Sequence, residues 1–232
     1  MLRVCKLEPA IGQLVGNHVI VDDLKLHDFD YYGKGEMSRS KPAFETWFDS
    51  TAPISDGSVV GGFPREKLIL SLQEAFYLCY ALGSLRIHVK DQAKNVQECF
   101  ELFCNIEGAE FFIARYSVYH YFRCRGWITR SGSKYGCDYV LYSRGPEYEH
   151  AKYAVNIVSS KDLKEMTWKE LQHNCRISVN VKKDLIICQY HLDMDKVDIT
   201  RNVTDLLKSS ISLATMKVTR FVPEKDREAD ND

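Results

Sequence analysis

Apolar positions along this 232-residue chain run first in strand-like bursts, then in helical stripes, then in strand-like bursts again. Gly16-Asn17-His18-Val19-Ile20-Val21-Asp22 is a short apolar run bounded by turn residues, which predicts a strand. Polar, glycine-rich stretches follow: Tyr32-Gly33-Lys34-Gly35, the basic Ser38-Arg39-Ser40-Lys41-Pro42, and breaks at Ser55–Ser58 and Gly61-Gly62. Leu72, Ala75, Phe76, Cys79 and Leu82 then recur at spacings of three and four. Ser71-Leu72-Gln73-Glu74 in front of them is a capping box, in which serine and glutamate satisfy each other's backbone N–H, and Gly83 can close the helix. A second helix is expected from Asp91, with Val96, Cys99, Phe103 and Ile106 on one stripe, and a third from Glu110 to Arg125.

Past residue 126 the period shortens. Trp127–Thr129, Tyr139–Tyr142, Tyr153–Val158, Asp184–Tyr190 and Met216–Val222 read as strands, and the Thr167-Trp168-Lys169-Glu170 capping box predicts a helix between them. The expected class is α/β (α+β), without repeats: an N-terminal α/β domain over residues 1–110, helical after a loop-rich start, then a mixed-sheet domain over 111–222. Residues 223–232, rich in acids, should form a disordered tail.

Composition narrows the class. Apolar residues are 45% of the chain, enough for a packed core. With 31 Lys+Arg against 32 Asp+Glu, a uniformly basic nucleic-acid-coating protein is excluded, although a local basic face is not. No apolar run approaches the ~20 residues of a membrane span, and the first residues meet charge and Glu8-Pro9 before a signal-peptide core could form, so a soluble intracellular protein is expected. The eight cysteines then read as reduced; Cys99 and Cys104 have a spacing that zinc can use, but no second Cys/His pair matches them.

Charge is uneven: Arg115–Lys152 carries seven bases against three acids and many aromatic rings, which suits phosphate contact with base stacking or a solvated face over an aromatic core. Within it lies Lys134-Tyr135-Gly136-Cys137-Asp138-Tyr139-Val140-Leu141-Tyr142-Ser143-Arg144-Gly145-Pro146-Glu147-Tyr148-Glu149-His150-Ala151. Strand alternation puts Asp138, Val140 and Tyr142 on one side, and Gly145-Pro146 can bring His150 back near Tyr142. Taken alone, Tyr142 reads as a packed aromatic and His150 as a surface residue. A metal-dependent nuclease would want a second acid two positions before a lysine; Glu149 stands three before Lys152, which argues against Mg²⁺ chemistry.

This segment resembles the tRNA-splicing endonuclease family, and most resembles the eukaryotic catalytic subunit assigned to the 5′ splice site. Tyr31–Gly35 with Ser38–Pro42, Leu70–Gly83, Arg125–Ala151 and Asn180–Leu185 resemble family segments in the expected order. The resemblance implies a catalytic tyrosine, histidine and lysine at Tyr142, His150 and Lys183, with Lys182 adjacent to the last. It further implies an RNA-clamping arginine at Arg176, whose usual tryptophan partner is Phe221 here. No cofactor is implied. The expected partners are an intron-containing precursor tRNA, a second catalytic subunit and two structural subunits of a heterotetramer; the expected compartment is the nucleus, with the mitochondrial surface as an alternative. The rival is a non-catalytic structural or RNA-binding subunit of the same complex, against which the complete triad speaks.

RNA carries its own nucleophile, the 2′-OH beside each phosphodiester, so cleavage needs only proton traffic and charge neutralisation. Tyr142 would take the 2′-OH proton, Lys183 would lower the phenol's pKa and stabilise the phosphorane, and His150 would protonate the departing 5′ oxygen. The products would be a 2′,3′-cyclic phosphate and a 5′-OH.

Overall fold

The computed structural model describes residues 9–21, 36–37, 68–146, 148–200 and 202–219. Packing divides the chain into two units, the first ending at Cys99 and the second beginning at Phe100, apart from residues 31–33. Both sheets and helices are present, as the α+β class requires.

The first unit carries more sheet than its helical periodicity suggests. β1 (Ala10–Val15) and β2 (His18–Val21) form a hairpin, and β3 (Glu36–Met37) and β4 (Leu68–Ser71) extend it on one side. On the other side β5 (Leu85–Val89) runs parallel to β1 and pairs with β6 (Gln92–Lys94). Helix α1 (Leu72–Phe76) starts at the anticipated capping box and loosens into a π-helical turn over Tyr77–Ala81. Val19, Leu70, Leu72, Phe76 and Ile87 are fully buried between this helix and the sheet. The helix expected from Asp91 begins instead at Val96: Lys90 and Asp91 both have positive φ and form the two-residue loop between β5 and β6. The start signal is Asn95, whose Oδ1 accepts the Glu98 N–H at 2.8 Å while the Glu98 carboxylate accepts the Asn95 N–H at 2.8 Å. Helix α2 (Val96–Glu107) spans the division between the units.

In the second unit, α3 (Ala109–Cys124) buries Phe112, Ile113, Tyr116 and Tyr119. It packs on a five-stranded sheet, β7 (Ile128–Ser131), β8 (Tyr139–Tyr142), β9 (Tyr153–Ser159), β10 (Asp184–Leu192) and β11 (Ile211–Val218), joined in the spatial order β11-β10-β9-β8-β7. Only β9 and β10 run parallel, joined through α4 (Ser160–Glu165) and α5 (Trp168–Asn180), the latter starting at the anticipated Thr167–Glu170 capping box. A short α6 (Val203–Ser209), capped by the Asn202 side chain, precedes β11. That last strand begins five residues before the Met216 start expected from sequence. It is an edge strand with mostly exposed side chains, so no burial pattern marks its ends. The tail at 223–232 lies outside the described residues.

Cys79, Cys99, Cys104 and Cys188 are buried free thiols, and burial pushes those of Cys104 and Cys188 up to about 12. Those two stay neutral, and all four pack as small groups within the core. Among the described residues no helix is long and apolar enough to cross a membrane.

Candidate active site

Alternation along β8 turns Tyr139 toward α3, where its ring meets Tyr119 edge-on at 5.9 Å between centroids, and turns Val140 and Tyr142 to the opposite face. On that face Tyr142, only 8% exposed, packs with Ile128, Val140 and Ala151, and Tyr135 and Cys137 close the cluster. Asp138 does not join it. Standing just before the strand, it accepts the Ile157 N–H at 2.8 Å and pairs with the Arg115 guanidinium on α3, which pins the entry of β8. This corrects the alternation argument that put Asp138 beside Tyr142.

After Tyr142 the chain turns back through Gly145, whose φ of +116° an L side chain rarely adopts. The loop is drawn in by Glu149: its carboxylate accepts the Ser143 hydroxyl, the Ser143 N–H and, at 2.7 Å, the Arg144 N–H. These hydrogen bonds hold the Glu149 carboxyl below its ordinary value. His150 follows directly, exposed at the rim, while its neighbour Ala151 is 4% exposed against Tyr142.

Lys183 arrives from elsewhere in the chain. Helix α5 ends in a Schellman turn: the Lys182 N–H donates to Val179 O at 3.0 Å and the Lys183 N–H to Ser178 O at 2.9 Å. Lys182 takes the left-handed position, with φ of +54°, where glycine is usual. The turn leaves Lys182 exposed and carries Lys183 inward, where its ammonium donates to Val181 O at 3.3 Å and sits 4.6 Å from the centre of the Tyr135 ring. The carbonyl end of a helix favours a cation at this place.

Two backbone hydrogen bonds bring the three segments to one end of the sheet. The Lys152 N–H donates to Leu141 O at 2.9 Å, and the Asp184 N–H donates to Lys152 O at 3.0 Å. Tyr142 adjoins the first carbonyl, His150 lies two residues before the central link, and Lys183 directly precedes the last donor. With strands about 4.8 Å apart, this row spans about 10 Å of backbone from Tyr142 to Lys183.

The electrostatics differ from the sequence expectation. Burial raises the Tyr142 phenol above its ordinary value, and its interaction with the neighbouring Tyr135 phenol raises it further; the opposing cation is Arg130, on the adjacent strand β7. Lys183 instead stands over Tyr135. It also pulls against the burial that pushes the Cys137 thiol up to about 11.

Arg176 is not a member of this cluster. It is exposed on α5 and lines a groove with Asp162, Lys169 and His173. Phe221 lies outside the described residues, as do the segments Tyr31–Gly35 and Ser38–Pro42. Sequence reasoning did not single out Tyr135 or Arg130, and weighed Glu149 only as a metal-binding acid, which its spacing spoke against. Arg130 was legible, because it lies on the same face of β7 as Ile128, which faces Tyr142. Glu149 and Tyr135 act from irregular turns, where no periodicity signals orientation.

Comparison with known proteins addresses the domains rather than the individual side chains. Residues 10–98 match the tRNA intron endonuclease N-terminal domain, and residues 112–199 match the tRNA intron endonuclease catalytic C-terminal domain. A chicken protein, tRNA-splicing endonuclease subunit Sen2, is 34% identical over 72% of this chain and 37% of its own length. The Saccharomyces cerevisiae protein of that description is 30% identical over 71% of the chain and 44% of its own length. An Arabidopsis thaliana relative, subunit Sen2-1, is 27% identical over 74% of the chain and 72% of its own length. The chain thus spans less than half of the chicken and yeast relatives. Two successive domain matches in family order, over a fold that gathers the segments bearing the tyrosine, histidine and lysine, place this chain in the tRNA intron endonuclease family.

Proposed function

We propose that this chain is a catalytic subunit of a tRNA-splicing endonuclease and cuts precursor tRNA at the 5′ splice site by metal-independent transesterification. One observation carries the reading: the Leu141–Lys152–Asp184 hydrogen-bond row sets Tyr142, His150 and Lys183 at one end of one sheet. A phenol, an imidazole and an ammonium in that arrangement are what 2′-OH attack requires. Tyr142, once its phenol has lost its own proton to solvent, accepts the nucleophile's proton; burial and Tyr135 oppose that first loss and Arg130 favours it. Lys183 neutralises charge on the pentavalent phosphorane. His150, at the solvent-facing rim, protonates the 5′ oxygen as it leaves. The bond from 2′ oxygen to phosphorus forms, the bond from phosphorus to 5′ oxygen breaks, and the products are a 2′,3′-cyclic phosphate and a 5′-OH.

Three side chains cannot select one phosphodiester in a folded tRNA. In this reading selection comes from a heterotetramer, in which this chain supplies one of two active sites beside a second catalytic and two structural subunits. Arg176 and Phe221 would clamp an unpaired base near the other active site; an exposed guanidinium on a helix face suits such a contact. The proposed compartment is the nucleus.

The test is reconstitution with partner subunits on an intron-containing precursor tRNA in EDTA, with both ends of each cut mapped. A 5′-site cut bearing a cyclic phosphate supports the reading. Binding without release of halves, or cleavage only with added divalent cation, contradicts it.

A further inference from the structure

Tyr135 belongs to no part of the chemistry just described, yet it touches two of its three groups. It ends the 3₁₀ turn Ser133–Tyr135, which Gly136 closes in a left-handed conformation at φ of +69°. A Cβ on Gly136 would come within 3.2 Å of the Ile177 side chain of α5, so the turn lies close against that helix. The Tyr135 N–H is tied to Gly132 O at 2.8 Å, and Cys137 donates to the same oxygen at 3.2 Å. From this braced turn the side chain packs against the cluster of Ile128, Val140, Tyr142 and Ala151. That cluster brings it beside Tyr142, and its ring face receives the Lys183 ammonium at 4.6 Å.

We propose that Tyr135 is a positioning residue that sets the Tyr142 phenol and the Lys183 ammonium relative to each other, packing beside one and receiving the other on its ring. The two groups come from segments some forty residues apart, and no direct bond between them is present among the described residues. A lysine side chain has four rotatable bonds and is costly to fix. A cation over an aromatic face has a preferred place without losing its capacity to donate to a phosphate oxygen. The Tyr142 ring is confined in turn by the cluster that Tyr135 helps to close. Displacement of a reacting group by about 1 Å costs up to ~10²-fold in rate, so a shared brace is consequential.

This inference rests on the proposed roles of Tyr142 and Lys183, and two substitutions separate it from them. Tyr135→Phe keeps the ring under Lys183 and deletes the hydroxyl, whereas Tyr135→Leu deletes both. In the reconstituted complex under single-turnover conditions, Tyr135→Phe should slow 5′-site cleavage about tenfold and Tyr135→Leu about a hundredfold, with precursor-tRNA binding unchanged. On the chain itself, titration of ring-labelled tyrosine by NMR should show the Tyr142 phenol shifting downward in Tyr135→Phe, because one of the influences raising it is gone. A role confined to stability would leave that titration in place. The inference is overturned if cleavage in both variants stays within twofold of wild type, or if the Tyr142 titration does not move in Tyr135→Phe. Wild-type cleavage rates in Tyr142→Phe and Lys183→Ala would instead remove the functional reading, while the titration would still decide whether Tyr135 acts on the phenol.

Discussion

At the scale of single residues, the adjacent lysines have opposite assignments. Lys182 occupies a left-handed position that costs a β-carbon-bearing residue ~1–2 kcal/mol, part of which glycine gives back through its freer unfolded chain. Lys182→Gly should therefore raise unfolding stability by about 0.5–1 kcal/mol, read from denaturant midpoints at constant slope. Lys183→Ala should leave the fold intact and slow cleavage by at least ~10²-fold. Tyr142 gives a pH-linked expectation. Its phenol is raised in the folded chain, so its neutral form contributes stability below the ordinary value near 10, and this is lost as pH rises through the raised value. Thermal unfolding of the wild type should weaken more steeply above ~pH 10 than that of Tyr142→Phe; parallel curves would contradict the burial. Tyr142 and Lys183 were legible as residue types in a family pattern. Their environment was not, because the ring that separates them, Tyr135, comes from a turn whose direction no spacing encodes.

At the scale of elements, the loop from Ser143 to His150 is held by one carboxylate. Glu149→Gln keeps the shape but weakens acceptance of three donors, and should slow cleavage roughly tenfold with little change in global stability. Because the Glu149 carboxyl lies below its ordinary value, the clip is intact at neutral pH and opens only as pH falls through that depressed value. Glu149→Gln should therefore leave the pH dependence of cleavage between pH 7 and 5 unchanged. Asp138 acts on structure: Asp138→Ala strands the Ile157 N–H and the Arg115 guanidinium and should cost about 1–3 kcal/mol in denaturant unfolding. Elements that open on a capping box, α1 and α5, were readable from the chain. The start of α2 was misplaced because Asp91 looked like a cap while Asn95 was the cap. The edge strand β11 was misplaced because exposed side chains carry no burial period.

At the scale of the whole molecule, charge balance and two successive family domains say more than any one side chain. A nearly neutral chain does not coat nucleic acid, so under the proposed function selection of a tRNA would rest on shape and on partner subunits. The basic, aromatic segment Arg115–Lys152 contributes both a packed face and the site: Arg115 is spent on Asp138, whereas Arg130 stands beside Tyr142. The central claim, that the phenol, imidazole and ammonium act on one phosphodiester, is tested most directly through His150, the exposed member whose loss disturbs packing least. The measurement is single-turnover cleavage of an intron-containing precursor tRNA by the reconstituted complex carrying His150→Ala, with binding measured in parallel. The account predicts a ~10²–10⁴-fold slower 5′ cut with binding nearly unchanged; a well-folded complex cutting at the wild-type rate would contradict it.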